Sequence, residues 1–184
     1  MSSQIHDLGY RPYEGERAGV AWAVRSLAVH SMRRALGLKR AGRHKIVPTL
    51  TIGFAFLPAI VMVGLSLFLS GFSLDDLFSY GDYHGFTSFA LFLFTAAAAP
   101  GVLTTDRTSG MLAMYLASPL NRTTYVLAKG IGIFAVMFLV TVAPIVFLVV
   151  AYTIVGAGPG GLLDFLELMG RALLAGAISA AFYT

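Results

Sequence analysis

The order of apolar and polar positions divides the chain before any motif is considered. Three stretches, 46–74, 83–105 and 130–163, contain no Asp, Glu, Lys or Arg. A helix needs roughly 20 mainly apolar residues to cross about 30 Å of hydrocarbon, and each stretch is long enough. Residues 47–70 are apolar on nearly every side, whereas the helices of a soluble protein keep one face polar. The pattern predicts an all-α, polytopic membrane protein with spans at about 47–70, 86–102 and 127–154. A further apolar stretch, 172–184, predicts a fourth span over 171–184. That span is read as incomplete, because a helix stopping inside the bilayer leaves its last carbonyls without partners. The first apolar stretch starts too late and runs too long for a cleaved signal peptide.

Residues 1–46 form a separate region of cytoplasmic lead-in and surface helix, ahead of a transmembrane domain over 47–184. Between 15 and 38, Val20, Val24 and Leu27 recur at helical spacing, followed by Val29, Met32 and Leu36, with Arg25, Arg33 and Arg34 between them. Trp22 suits an interface, its ring being apolar and its indole N–H polar. An amphipathic helix along the inner membrane surface is the expectation. Pro48 is harmless near a helix start. Pro58 and Pro144 fall inside spans and are candidate hinges. The small side chains at 96–99 permit close helix contact.

Charge adds direction to this outline. Nine of the thirteen Lys and Arg residues lie within 1–46, and the formal net charge is +4. Short basic loops stay in the cytoplasm, so the basic run at 39–45 places the N-terminus there. Residues 103–127 are then inside as well, with 71–85 and 156–168 outside. Asp75, Asp76 and Asp82 occupy the first outer loop, which has no Lys or Arg. The basic segment suits anionic membrane lipids, and the remainder offers no folded basic surface for nucleic acid. Only 12% of residues are charged and 57% are apolar, about half the usual charge of a soluble domain.

The segment between the second and third spans carries the chemistry. Thr108 or Ser109 can cap a short helix beginning near Gly110, with Met111, Leu112, Tyr115 and Leu116 as its contact surface and Pro119 as its stop. A second helix can begin near Asn121 or Thr123 and run directly into the third span. The Asp106-Arg107, Gly110-x-Leu112, Leu116-Ala-x-Pro119-Leu120, Arg122-x-x-Tyr125 and Lys129 pattern resembles the membrane subunit of ABC-2 type exporters. The opening Tyr13-x-Gly15-Glu16-Arg17 and the Ala35-Leu36-Gly37 region also look like the start of actinobacterial members. The resemblance implies a permease that forms a homodimer or pairs with a related permease, each half commonly having six spans. It implies docking to a separate ATP-binding subunit that holds ATP and Mg. Residues 110–119 would include the coupling helix, positioned by Asp106, Arg107, Arg122 and Lys129. Plain interface anchoring explains Lys129 equally well at this level.

Other chemistry finds little support. No phosphate-binding loop of the G-x-x-x-x-G-K-[ST] type occurs, so ATP hydrolysis is expected on a partner and this chain is not read as an enzyme. The Gly-rich 156–161 reads as a turn. His6, His30, His44 and His84 are scattered without ligand spacing, and the absence of Cys removes thiolate ligands and nucleophiles. Ser109 and Ser118 have no neighbouring His and acid to suggest a nucleophile. Asn121-Arg-Thr123 matches a glycosylation acceptor, accidentally if this loop is cytoplasmic. Within the apolar stretches the polar groups are hydroxyls such as Thr51, Ser66, Thr95 and Thr141, which leans toward a lipidic or amphipathic cargo. The competing reading is a membrane anchor or assembly subunit that moves no cargo.

Overall fold

The computed structural model describes residues 15, 19–38, 42–68, 80–117, 120–156 and 158–184. Among them are seven helices and no strand: α1 (Val20–Ala35), α2 (Arg43–Phe68), α3 (Tyr80–Leu103), α4 (Thr105–Thr108), α5 (Met111–Ala117), α6 (Arg122–Val155) and α7 (Leu162–Tyr183). Among the described residues, three helices are long and apolar enough to cross a membrane: α6, α7 and the 45–68 part of α2. The chain is therefore an all-helical, multi-pass membrane protein.

The helix ends follow from local chemistry. α1 closes with Gly37 at φ +68, where the Gly37 N–H bonds Arg34 O at 3.0 Å and the Leu38 N–H bonds Arg33 O at 2.8 Å. This is the left-handed glycine closure that satisfies the last carbonyls of a helix. At the start of α6, the Thr124 hydroxyl accepts from the Asn121 N–H at 2.8 Å. That bond fixes the helix start at Arg122, where a helix beginning near Asn121 or Thr123 and running into the third span was expected. Gly156, left-handed at φ +81, ends it.

The fourth apolar helix begins at Leu162, well before the expected Arg171. Gly161 lies just outside it in extended conformation, and Asp164 occupies its first turn, where a carboxylate suits the positive end of the helix dipole. Glu167 and Arg171 then pair one turn apart at 2.5 Å, both well exposed. Asp164 and Glu167, which lie ahead of the expected span at 171–184, are thus part of α7.

α6 is the central post, touching α1, α2, α3 and α7. Its faces carry two buried clusters. Ile133, Val136, Met137 and Val140 pack with Ala55 of α2, Ala90, Leu91 and Phe94 of α3, and Ala180 of α7. Farther along, Ile145, Leu148, Val149 and Tyr152 pack with Ala59, Met62, Tyr83 and Ala172. The Tyr83 hydroxyl donates to Ala55 O at 2.9 Å, tying α3 to α2. α2 and α6 run unbroken through Pro58 and Pro144.

α1, expected as an amphipathic helix along the inner membrane surface, has one face buried against a neighbouring helix. It packs along the N-terminal part of α6 through Leu27, Ala28, Ser31 and Ala35. The approach is close because Gly132 has no side chain. A Cβ there would lie 2.6 Å from Ala28 O and 2.8 Å from the Ser31 Cβ. Trp22 and Val20 remain exposed, at 62% and 45%. The buried stripe uses small residues, which lower the barrier to close backbone approach.

Candidate functional site

Asp106 is the centre of the region where α1, α3, α4 and α6 meet. It sits in the first turn of the short α4, and only 1% of it is exposed. Lys129 Nζ of α6 lies 2.6 Å from Asp106 Oδ2 and is equally buried. The Tyr125 hydroxyl donates to the same oxygen at 2.9 Å. Arg34 of α1 donates from Nη1 to Oδ1, closing the other side of the carboxylate. Lys129 also donates to Val102 O at 3.2 Å and sits 5.7 Å from the centre of the Tyr125 ring. Val102 lies in the last turn of α3, so Lys129 also meets the negative end of that helix dipole.

This arrangement solves the problem that burial creates. Charges removed from water are retained only when paired and hydrogen-bonded. Burial pushes the Asp106 carboxyl up. Hydrogen bonds from Lys129 and Tyr125, the Lys129 charge and the Arg34 hydrogen bond outweigh it, and hold the group below the usual carboxylate range. Two cations against one carboxylate leave the cluster with an excess positive charge. His30 of α1 responds: burial first, then Arg34 and Lys129, lower its pKa against the opposing pull of Asp106.

An apolar layer closes the cluster off. Leu27, Leu120 and Ala128 are buried together, with Ala23, Val24, Tyr115 and Tyr125 against them. The Tyr115 and Tyr125 rings lie 6.0 Å apart, and burial followed by the Asp106 charge raises the Tyr115 pKa. Tyr115 thereby docks α5 onto this junction, while Met111 and Met114 on the same helix are 46% and 71% exposed.

The candidate residues fall into distinct positions. Asp106 and Lys129 are brought together. Arg107 and Arg122 are exposed, and no ion pair joins either to another described residue. Leu112 is half-buried. Gly110 takes φ +70 between α4 and α5, a left-handed conformation that favours glycine. The Leu116 side chain and Pro119 lie outside the described residues, as do the opening 1–14 and the 71–79 part of the outer loop expected at 71–85, whose residues 80–85 belong to α3 instead.

Two expectations change. Thr108 and Ser109 do not cap α5. The Ser109 hydroxyl donates to Thr105 O at 2.7 Å, and that of Thr108 to the same carbonyl at 3.1 Å, so both close α4 instead. Lys129 is not a charge at the interface seeking water, because its pairing with Asp106 is buried. Sequence reasoning also missed Arg34 as a site residue and gave Tyr125 no role. One signal was available: Arg34 lies three and seven residues after Ser31 and Leu27, on the side of α1 that faces α6, whereas Arg33 points away.

No protein-family model matches the chain, and neither curated proteins nor solved structures provide a match.

Proposed function

We propose that this chain is the permease subunit of an ATP-driven exporter, forming a membrane pathway and receiving force from a separate ATP-binding subunit through residues 106–129. The observation that carries this reading is the anchoring of the segment between α3 and α6 by Asp106. Through that one carboxylate, α4 is bonded to α1 and to the central post α6. Force applied to α5 therefore has a stiff route into a helix long enough to span the bilayer. The exposed Met111 and Met114 supply an adaptable apolar surface for a partner, as thioether side chains commonly do. Pro58 and Pro144 remain candidate hinges within α2 and α6, and assembly as a homodimer or with a related permease belongs to the same proposal.

Met114→Asp tests the docking without disturbing the buried junction. A carboxylate in an apolar groove lacks a partner, and losing the apolar side chain removes roughly 1.5–3 kcal/mol of burial. We expect about a tenfold or greater loss of affinity for the cognate ATPase after co-reconstitution of the full-length proteins. Substrate-stimulated ATP turnover should fall with it, while membrane insertion is unchanged. Wild-type binding and turnover in both Met111→Asp and Met114→Asp would instead support a non-transporting anchor or assembly subunit.

A further inference from the structure

α1 presents three different surfaces around its axis. Leu27, Ala28, Ser31 and Ala35 are buried toward α6. Next to that face lies an apolar groove of about 490 Å³, formed by Val24, Ala28 and Met32 of α1 with Ile131, Gly132 and Ala135 of α6. Continuing around the helix, Trp22, Arg25, Ser26, Val29, His30 and Arg33 line an open hollow of about 300 Å³, half polar and half apolar, with two arginines. Arg25 and Val29 line both cavities, so the apolar groove opens directly beside the cationic one.

We propose that this composite site holds one anionic phospholipid, with an acyl chain in the α1–α6 groove and its phosphate at Arg25 and Arg33. The charge balance selects the headgroup. α1 contains no Asp or Glu. Arg34 is already engaged by Asp106, whereas Arg25 and Arg33 form no ion pair among the described residues. The groove selects a ligand that also carries a hydrocarbon chain. Its volume falls in the usual range of about 300–1,000 Å³ for a ligand site. Its α6 wall, Ile131 to Ala135, begins just beyond Lys129, where the charge-free part of the spanning helix starts. Trp22, 62% exposed, lies beside the hollow, as expected for a ring at the headgroup level. A free phosphate would satisfy the arginines and leave the groove unfilled. The proposal rests on the membrane placement of α6 and is independent of the exporter reading.

Exchange of bound lipid tests it. Full-length protein is equilibrated in mixed micelles with equal amounts of phosphatidylglycerol and phosphatidylcholine, and retained lipid is counted by native mass spectrometry. The wild type should keep phosphatidylglycerol in preference. An arginine near an anionic surface is worth about 1 kcal/mol, or roughly fivefold. Arg25→Gln should therefore reduce the preference about fivefold while phosphatidylcholine retention holds. Ala135→Phe, which fills the groove, should lower retention of both lipids. Arg171→Gln, an equal loss of charge beside the distant half of α6, should leave the preference intact. Inorganic phosphate added in excess should fail to displace the lipid. No headgroup preference in the wild type, an unchanged preference in Arg25→Gln, an equal drop in Arg171→Gln, or complete displacement by phosphate would each overturn the proposal. Arg25 is exposed, so its variant decides the question even if Ala135→Phe fails to fold.

Discussion

The two halves of α6 are held by opposite means. From Ile133 to Tyr152 its neighbours are apolar side chains and small residues, with hydroxyls bonded back into the helix, such as Thr141 to Met137 O at 2.8 Å. At its N-terminal end, Tyr125 and Lys129 meet Asp106 and Arg34 in a buried ionic cluster. The apolar half is tolerant, because dispersion contacts are many, weak and undirected. The ionic end is specific, because every member depends on the others for its place in a dry site. A neighbour bound by packing can slide, whereas one bound through a shared carboxylate must stay in register.

Removing the carboxylate should produce the largest break in this comparison. Asp106→Ala leaves Lys129 buried without its counterion, and stripping one partner from a buried pair costs about 3–5 kcal/mol. Equilibrium unfolding in mixed micelles should report that loss. Adding Lys129→Met should recover part of it, since the stranded charge is then gone. If the double variant is no more stable than Asp106→Ala, unpaired charge is not what makes the single change costly.

Two glycines on α6 and α7 sharpen the contrast at intermediate size. At Gly132 a Cβ would strike the Ala28 carbonyl and the Ser31 Cβ, neither of which can rotate away. At Gly176 it would come within 2.5 Å of Val142 Cγ2, the end of a side chain. Gly132→Ala should cost about 1–3 kcal/mol and separate α1 from α6, while Gly176→Ala should cost less. Cross-linking between cysteines introduced on α1 and α6 would follow the first. Equal stability losses would mean that backbone and side-chain contacts yield alike here.

The smallest effect concerns pH. The folded state holds the Asp106 carboxyl below its usual range, so its contribution is present above about pH 4 and is lost as pH falls through the folded value. Tyr125→Phe removes one of the hydrogen bonds that favour the ionised form. A hydrogen bond to a charged group favours its ionised form, so the acid limb of the stability profile should move to higher pH. An acid limb unmoved by that variant would show that the tyrosine hydroxyl does not stabilise the carboxylate.

The apolar half was legible in the sequence, and the ionic end was legible only in part. Charge-free runs mark α2 and α6, both long and apolar enough to cross a membrane, because a hydrocarbon solvent leaves helices little alternative. The start of α7 was missed because Asp164 and Glu167 resemble a loop when counted by charge, yet an acidic first turn is also how a helix begins. Asp106 and Lys129 stood out as charges in the short segment between two apolar stretches. Arg34 did not, because its partner lies 72 residues away and pairing at that separation leaves no local period. The docking of α1 was hidden for a related reason: its inward face is marked by Ala28, Ser31 and Ala35, while the eye follows the larger Val20, Val29 and Met32.

The length of α6 has a geometric consequence. At about 1.5 Å per residue its 34 residues extend about 51 Å, some 20 Å beyond a hydrocarbon slab of about 30 Å. Lys129 and Tyr125 lie near one end, so a bilayer seated on the charge-free residues 130–155 would leave that end, and the Asp106 cluster with it, as the overhang. Tilting such a mast swings its projecting end through a wider arc than its middle. α1, clipped to that end through Arg34 and packed on α6 just beyond it at Gly132, would sweep across the bilayer surface with it, turning a small rocking of the post into a lateral stroke.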